Sequence, residues 1–279
     1  MVYENARILV TGATGNVGRL VVDALLARGA RDVRALTVNP ARAALPSGVE
    51  VVTGYLGRPA SLPAALDGVD RLYLAPLPAT AAEVCSMAAA AGVSHIVDLA
   101  GEKGGPWQVV EDAVEACGVP WTHLEPGEFM TNTGVWAAQI TAGDEVRDTC
   151  GDVVNAPIAL EDIAEIAAKV LLEDGHAGRS YYLTGPEAVS RREKVAALGA
   201  ALGRELTFVD LPRDAGVEQL SLVMGEHAEW YVNGLESLAE YPQAVDPAAA
   251  ELLGRPGMAL TEWARRHADL FRPAEIAGR

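Results

Sequence analysis

Ile8-Leu9-Val10-Thr11-Gly12-Ala13-Thr14-Gly15-Asn16-Val17-Gly18 is the stretch that decides the fold. An apolar run enters three glycines spaced three apart and then a helical pattern. The physical task this arrangement fits is the binding of a pyrophosphate, whose charge is met by backbone N–H groups at a helix N-terminus. Gly12 permits the tight turn, Gly15 lets the backbone come close to the phosphates, and Gly18 lets the helix pack against the sheet. Thr11, Thr14, Asn16 and Val17 complete the loop. Val17, Leu20, Val21, Ala24, Leu25 and Leu26 recur at helical spacing up to Gly29, a helix stop. A second strand follows at 33–38, which completes a βαβ unit. A dinucleotide is the expected ligand. The alternative is a glycine-rich turn that holds nothing.

Working outward, strand and helix patterns alternate through the first half. Strands are expected at 49–52, 71–75, 94–99 and 121–124. Helices are expected at 59–66, 81–91 and 106–117, with Thr80 and Glu83 spaced as a capping box. This alternation predicts a doubly wound parallel α/β sheet covered on both faces. After about Asn132 the rhythm changes. A helix is expected at 163–172, a strand at 180–183, a second capping box at Ser190 and Glu193, a strand at 206–209 and a final helix at 260–270. The reading is a dinucleotide-binding domain over 1–132 and a smaller mixed α/β substrate lobe over 133–279. The helix at 162–172 is the one segment that could return to the first domain.

Composition excludes several partners. The 279 residues are 50% hydrophobic and carry a net charge of −16, with mean hydropathy +0.14. A duplex binder needs a basic face to release counterions, and none is encoded. No apolar run reaches membrane-spanning length and the first residues lack a signal-peptide core, so a cytoplasmic protein is expected. Cys85, Cys117 and Cys150 are far apart in sequence and lack metal spacing, which reads as reduced packing residues. No metal is expected, and the chain is read as a monomer or homodimer.

Thr11 to Arg19 resembles the NmrA-like atypical short-chain dehydrogenase/reductases. Residues 118–132, Gly-Val-Pro-Trp-Thr-His-Leu-Glu-Pro-Gly-Glu-Phe-Met-Thr-Asn, are similar to that family's G-x-x-x-T-x-L-R-P-x-x-F/Y-x-x-N segment. Glu161-Asp162-Ile163-Ala164, Leu202-Gly203-Arg204 and Glu262-Trp263-Ala264 fit its later pattern. The resemblance implies a Rossmann domain, a small substrate lobe and an NAD(P)-type cofactor. It covers quinone reductases, isoflavone-type reductases, tailoring enzymes of aromatic polyketides and redox sensors without turnover, and does not choose among them.

Three departures narrow it. Relatives that use NADP carry an arginine at the end of the second strand, where this chain has Val38, then Asn39. Without a guanidinium fork the 2′-phosphate loses its best partner, so NAD(H) is expected over NADP(H). Asn39 could reach the ribose hydroxyls. Arg19, Arg34 and Arg42 are nearby cations that could stand in, or solvated surface charges. The family's Gly-Asp-Leu after the third strand is Gly54-Tyr55-Leu56, which puts Tyr55 and Leu56 at the adenine, with Ala75 and Pro76 beyond. Finally, no tyrosine has a lysine four residues later, the family's Leu-Arg-Pro arginine is Glu125, and Asp112 stands where the lysine would be.

The chemistry is therefore read from the strand ends. Lys103 could orient or protonate an oxyanion, or be a solvated loop lysine. Glu128 could accept a phenolic hydrogen bond, or be a surface carboxylate. Phe129, Met130 and Asn132 follow the Pro126-Gly127 break, and Trp107 and Trp136 flank it, so these five are the expected contacts of a flat aromatic substrate, core packing being the alternative. His123 is expected on the strand face opposite Thr122 and Leu124. The expected function is an NAD(P)-dependent oxidoreductase of an aromatic, quinone-like small molecule, such as a polyketide tailoring step. The alternatives are a cofactor-sensing regulator, or a tailoring enzyme with oxygenase, isomerase or dehydratase chemistry.

Overall fold

The computed structural model describes residues 3–101, 104, 105 and 107–273. The chain runs through β1 (Arg7–Val10), α1 (Asn16–Ala27), β2 (Asp32–Thr37), β3 (Glu50–Thr53), α2 (Pro63–Leu66), β4 (Arg71–Leu74), α3 (Ala81–Ala90), β5 (His95–Leu99), α4 (Gln108–Ala116) and β6 (Trp121–Pro126). It continues through α5 (Ala137–Ala142), β7 (Glu145–Asp148), β8 (Val154–Asn155), α6 (Leu160–Leu172), β9 (Arg179–Leu183), β10 (Val189–Ser190), α7 (Arg191–Leu202) and β11 (Thr207–Asp210). The helices α8 (Arg213–Met224), α9 (Ala228–Glu240), α10 (Ala248–Leu253) and α11 (Leu260–Arg266) close it.

Two compact units share these elements. The first takes the chain to Gly127, then Leu160–Leu183 and Pro247–Pro256; the second takes Glu128–Ala159, Thr184–Asp246 and the chain from Gly257 on. A single cut after Asn132 is therefore replaced by a chain that leaves the first unit and returns to it twice. The returning segments supply α6, β9 and α10.

The first unit is a seven-stranded parallel sheet in the order β3-β2-β1-β4-β5-β6-β9. The strand 179–183, expected in the smaller lobe, pairs with β6 as its outermost strand. Strand order reverses between β1 and β4, where an open sheet of this kind leaves its ligand crevice. The inner strands are near-continuous apolar runs because both faces are covered. Leu9, Leu36, Leu72, Leu74 and Ile96 pack under α2, α3 and α4, while α1 lies along α6 and α6 reaches β4, β5 and β6.

A strand arginine is buried by having partners. Arg34, one of the cations that could have stood in at the phosphate, is only 5% exposed. It donates to Glu50 at 2.9 Å and to the carbonyls of Ala65 and Asp67 at 2.8 Å each, closing the C-terminal end of α2. It is neither a surface charge nor free for a ligand. Thr80 also departs from expectation. It ends a 3-10 turn, Pro78–Thr80, and gives its hydroxyl to the Leu56 carbonyl at 2.9 Å instead of capping α3. The segment 59–66 is a 3-10 turn followed by one turn of helix. The final helix stops at Arg266 and resumes as 3-10 over Ala268–Phe271.

The second unit holds two small pairings, β7 with β11 parallel and β8 with β10 antiparallel. Its core gathers Met130, Trp136, Ile140, Val146, Phe208 and Trp263, with Trp136 edge-on to Phe208. The Ser190–Glu193 capping box forms as its spacing predicts. Glu193 N–H donates to Ser190 Oγ at 3.2 Å and Ser190 N–H to Glu193 Oε2 at 2.7 Å. Gly203 ends α7 in the left-handed region at φ 68°. Ser190→Ala is expected to cost about 1 kcal/mol, read as a lower urea midpoint with unchanged slope.

Candidate functional site

The phosphate cradle is built from the glycines upward. Gly12 turns out of β1 at φ +59°, a conformation that side chains rarely adopt, and a Cβ there would lie 2.9 Å from Ala75 Cβ. Thr11 fastens the turn to the neighbouring strand: its hydroxyl donates to the Tyr73 carbonyl at 3.0 Å and accepts from Ala75 N–H at 2.8 Å. Gly15 N–H returns to the Gly12 carbonyl at 2.8 Å. Gly15 is the N-cap of α1, and no side chain caps that helix. The first-turn N–H groups of Asn16, Val17 and Gly18 are therefore left to an anion, which is the donor set a pyrophosphate needs. A Cβ on Gly18 would stand 2.2 Å from the Gly12 carbonyl oxygen, so the helix sits against the turn only because Gly18 has none.

A cleft of about 290 Å³ opens beside this cradle. Gly12, Thr14, Val38, Tyr55, Leu56, Ala75 and Pro76, all expected at the cofactor, line it. Leu36, Thr37, Gly54 and Leu77 line it too and were not foreseen. Gly54 was legible as the first residue of the Gly-Tyr-Leu step, and Leu36 and Thr37 as the residues before Val38. Asn39 is exposed beside the cleft, its N–H directed to Thr37 Oγ1 at 3.3 Å.

Among the described residues, the cleft walls carry no ionisable acid or base apart from the Tyr55 phenol. Val38 is 65% and Tyr55 51% exposed, as apolar surfaces awaiting a ligand are. Tyr55 is held by its own turn, with its N–H on Ser61 Oγ at 3.0 Å. Its ring lies over Gly57, where a Cβ would meet ring carbon Cε1 at 2.4 Å. Arg19 is committed, donating to the carbonyls of Ala43 and Ala44, the latter at 2.9 Å. Arg42 is exposed on the 3-10 turn after β2.

The residues expected to do chemistry are placed differently. Lys103 lies outside the described residues. Trp107 is 39% exposed, with its ring against Gly101. Glu128, in the second unit, is held by three partners. Lys194 Nζ and Asn155 Nδ2 donate to Oε2, the latter at 2.7 Å, and Tyr231 OH donates to Oε1 at 2.8 Å. Lys194 also donates to Asn155 Oδ1 at 2.6 Å and is 1% exposed. Burial alone would raise the Glu128 carboxyl above its ordinary range. The Lys194 ammonium, helped by Arg191 and Asn155, overrides burial and holds the carboxyl below its ordinary range.

The same network continues to Trp136 and Asp148. Arg191 bonds Tyr231 OH at 3.2 Å and pairs with Asp148, which accepts from Trp136 Nε1 at 2.6 Å. Trp136 and Met130 are thus spent on the core of the second unit, at 1% and 0% exposure. Phe129 bridges to Ile158, and Asn132 is half-buried, its N–H on the Phe129 carbonyl.

Comparison with known proteins agrees with this geometry. Residues 12–104 match the NAD(P)H-binding family model. The chain is 39% identical to the (4-alkanoyl-5-oxo-2,5-dihydrofuran-3-yl)methyl phosphate reductase of Streptomyces griseus, over 95% of this chain and 99% of that one. It is 32% identical to the NAD(P)H azoreductase of Xenophilus azovorans, over 96% and 100%. An NADPH-dependent quinone oxidoreductase of Escherichia coli solved with NADPH superposes with a TM-score of 0.84 at 25% identity, covering 93% of this chain and 99% of that one. No helix is long and apolar enough to cross a membrane among the described residues. The uncapped helix behind three glycines, the seven-stranded sheet and these relatives together show that the chain belongs to the NAD(P)H-binding, NmrA-like family of atypical short-chain dehydrogenase/reductases.

Proposed function

We propose that the protein is an NAD(P)H-dependent reductase of flat, conjugated carbonyl compounds, quinones foremost. The observation that carries this reading is the cleft of the first unit, apolar along its walls and ending at an uncapped helix N-terminus. The reductases among its relatives support the reaction class. When bound, the reduced nicotinamide supplies the hydride. The backbone N–H groups of residues 16–18 hold the pyrophosphate, and Val38 and Tyr55 flank the adenosine. A conjugated acceptor spreads the incoming charge by resonance and asks little of an acid, which suits a chain without the tyrosine–lysine pair. The quinone-like rings of aromatic polyketides belong to this acceptor class, so a tailoring step is one setting for it.

Among the described residues, the cleft has no acid at the end of β2 to repel a 2′-phosphate and no base to require one. Both cofactors are therefore taken. A preference for NADH draws no support from relatives named for NADPH or NAD(P)H. Oxidation of each cofactor, followed by absorbance against a panel of quinones, should proceed with rates within about tenfold of each other. Tight cofactor binding with no turnover on any acceptor would instead support the regulator reading. Val38→Arg should tighten NADPH binding by about tenfold and leave NADH unchanged, by adding a guanidinium to a phosphate. Calorimetric titration with both cofactors checks this.

A further inference from the structure

Under α3 and α4 the sheet face is hydrocarbon except at the ends of β5 and β6. There Asp98, His123 and Glu125 are 0%, 1% and 8% exposed, and α4 adds Glu111 at 4%. Asp98 and His123 are register partners. Asp98 Oδ1 is 2.7 Å from His123 Nδ1, and the ring stacks on Trp121 at 4.0 Å. Glu115 Oε1 stands 3.4 Å from His123 Nε2, too poorly placed for a hydrogen bond. Gln108 donates to Glu111 Oε2 at 2.9 Å. Asp98 Oδ2, Glu111 Oε1 and His123 Nε2 have no hydrogen-bond partner among the described residues. One imidazole thus faces several carboxylates in a buried space. Tyr73 on β4 and Cys85 on α3 are the other titratable groups that feel Asp98.

We propose that this cluster is a proton-held latch at the tops of β5 and β6: an imidazolium at His123 pairs with Asp98 among the carboxylates of Glu111 and Glu115, and loss of that proton loosens the strand end at Leu99–Gly101. β5 lies beside β4, and Ala75 and Pro76, just after β4, line the cleft, so the link from latch to cofactor affinity rests on the proposed function. Among the described residues one imidazole stands amid these buried carboxylates, and like charges in one buried space oppose each other's ionisation. Burial works against a charged His123, but the hydrogen bond and charge of Asp98, with Glu111 and Glu115, outweigh it and raise the imidazole above its ordinary value. Burial raises Asp98, and burial with the nearby charge of Glu125 raises Glu111.

All three groups hold protons more tightly folded than unfolded. Their stabilisation is complete below the unfolded values and is lost as pH rises through the folded ones. For His123 the loss sets in above the ordinary imidazole value, so the latch holds on the acid side of neutrality and releases as pH rises.

Two measurements on the full chain test this. In imidazole ¹⁵N spectra, the resonance lost in His123→Gln should show a charged ring at about pH 7, where free histidine is mostly neutral. The Tm should fall by about 5 °C from about pH 6 to pH 9, and by less than half that in His123→Gln, which has no such proton to lose. NADPH affinity should weaken over the same interval in the wild type and less in the variant. A neutral His123 ring at pH 7, or an equal fall in Tm for both proteins, would overturn the latch. Failure of NADPH to bind, with the spectra and melting as expected, would sink the cofactor reading and leave the latch standing.

Discussion

Gly18→Val should abolish NAD(P)H binding. The new Cβ would lie 2.2 Å from the Gly12 carbonyl oxygen, 2.7 Å from its carbon and 3.1 Å from Ala13 N. All three are backbone atoms of the turn that fixes the cradle, and no side-chain rotation relieves the overlap. Either α1 slides off the sheet or the turn opens, and in both cases the first-turn N–H groups no longer converge. Overpacking of this kind costs about 1–3 kcal/mol, with the upper end expected because the obstacle is main chain. Gly15→Ala is the control. Its Cβ meets the Gly12 carbonyl at 3.2 Å, a contact that a small shift relieves. Calorimetric titration with NADPH should show no heat for Gly18→Val and weakened binding for Gly15→Ala. Unchanged affinity in the valine variant would remove the pyrophosphate from this turn.

Lys194→Met should destabilise the protein by about 3–5 kcal/mol, because it leaves Glu128 buried without its cation. Lys194 is 1% exposed and the side chain of Glu128 13% exposed. Asn155 and Tyr231 would still donate to Glu128, but dipoles do not replace the ammonium. The double variant Lys194→Met, Glu128→Gln removes both charges and should recover more than half of the loss. Urea unfolding of the four proteins measures the coupling. A single-variant cost below about 1 kcal/mol would mean that the pair is solvated and that Glu128 is free for other work.

The cradle was legible because its parts are local. Strand, turn and helix lie within residues 7–27, and each glycine's role follows from a backbone that must pass close to something. Alternating periodicity likewise announced the parallel sheet, and the Ser190–Glu193 box was readable because both partners sit in one helical turn. Reading failed where a side chain's partner lies far along the chain. Thr80 had the spacing of a cap, yet its hydroxyl found Leu56. Arg34 had the composition of a surface charge, yet the sheet delivered Glu50 and two carbonyls to it. The strand at 179–183 gave no sign that it would return to β6, since local pattern encodes extension and not neighbours.

The sequence by itself determined the family, the doubly wound sheet and the glycine turn into the first helix, because those rest on dihedral preferences and periodicity over a few residues. The tertiary structure decided which polar groups are committed. Glu128 is joined to Lys194 across 66 positions and to Tyr231 across 103, and Asp98 to His123 across 25. No local rule sets such pairs. Packing brings the groups together, and the cost of leaving a buried charge alone keeps them there.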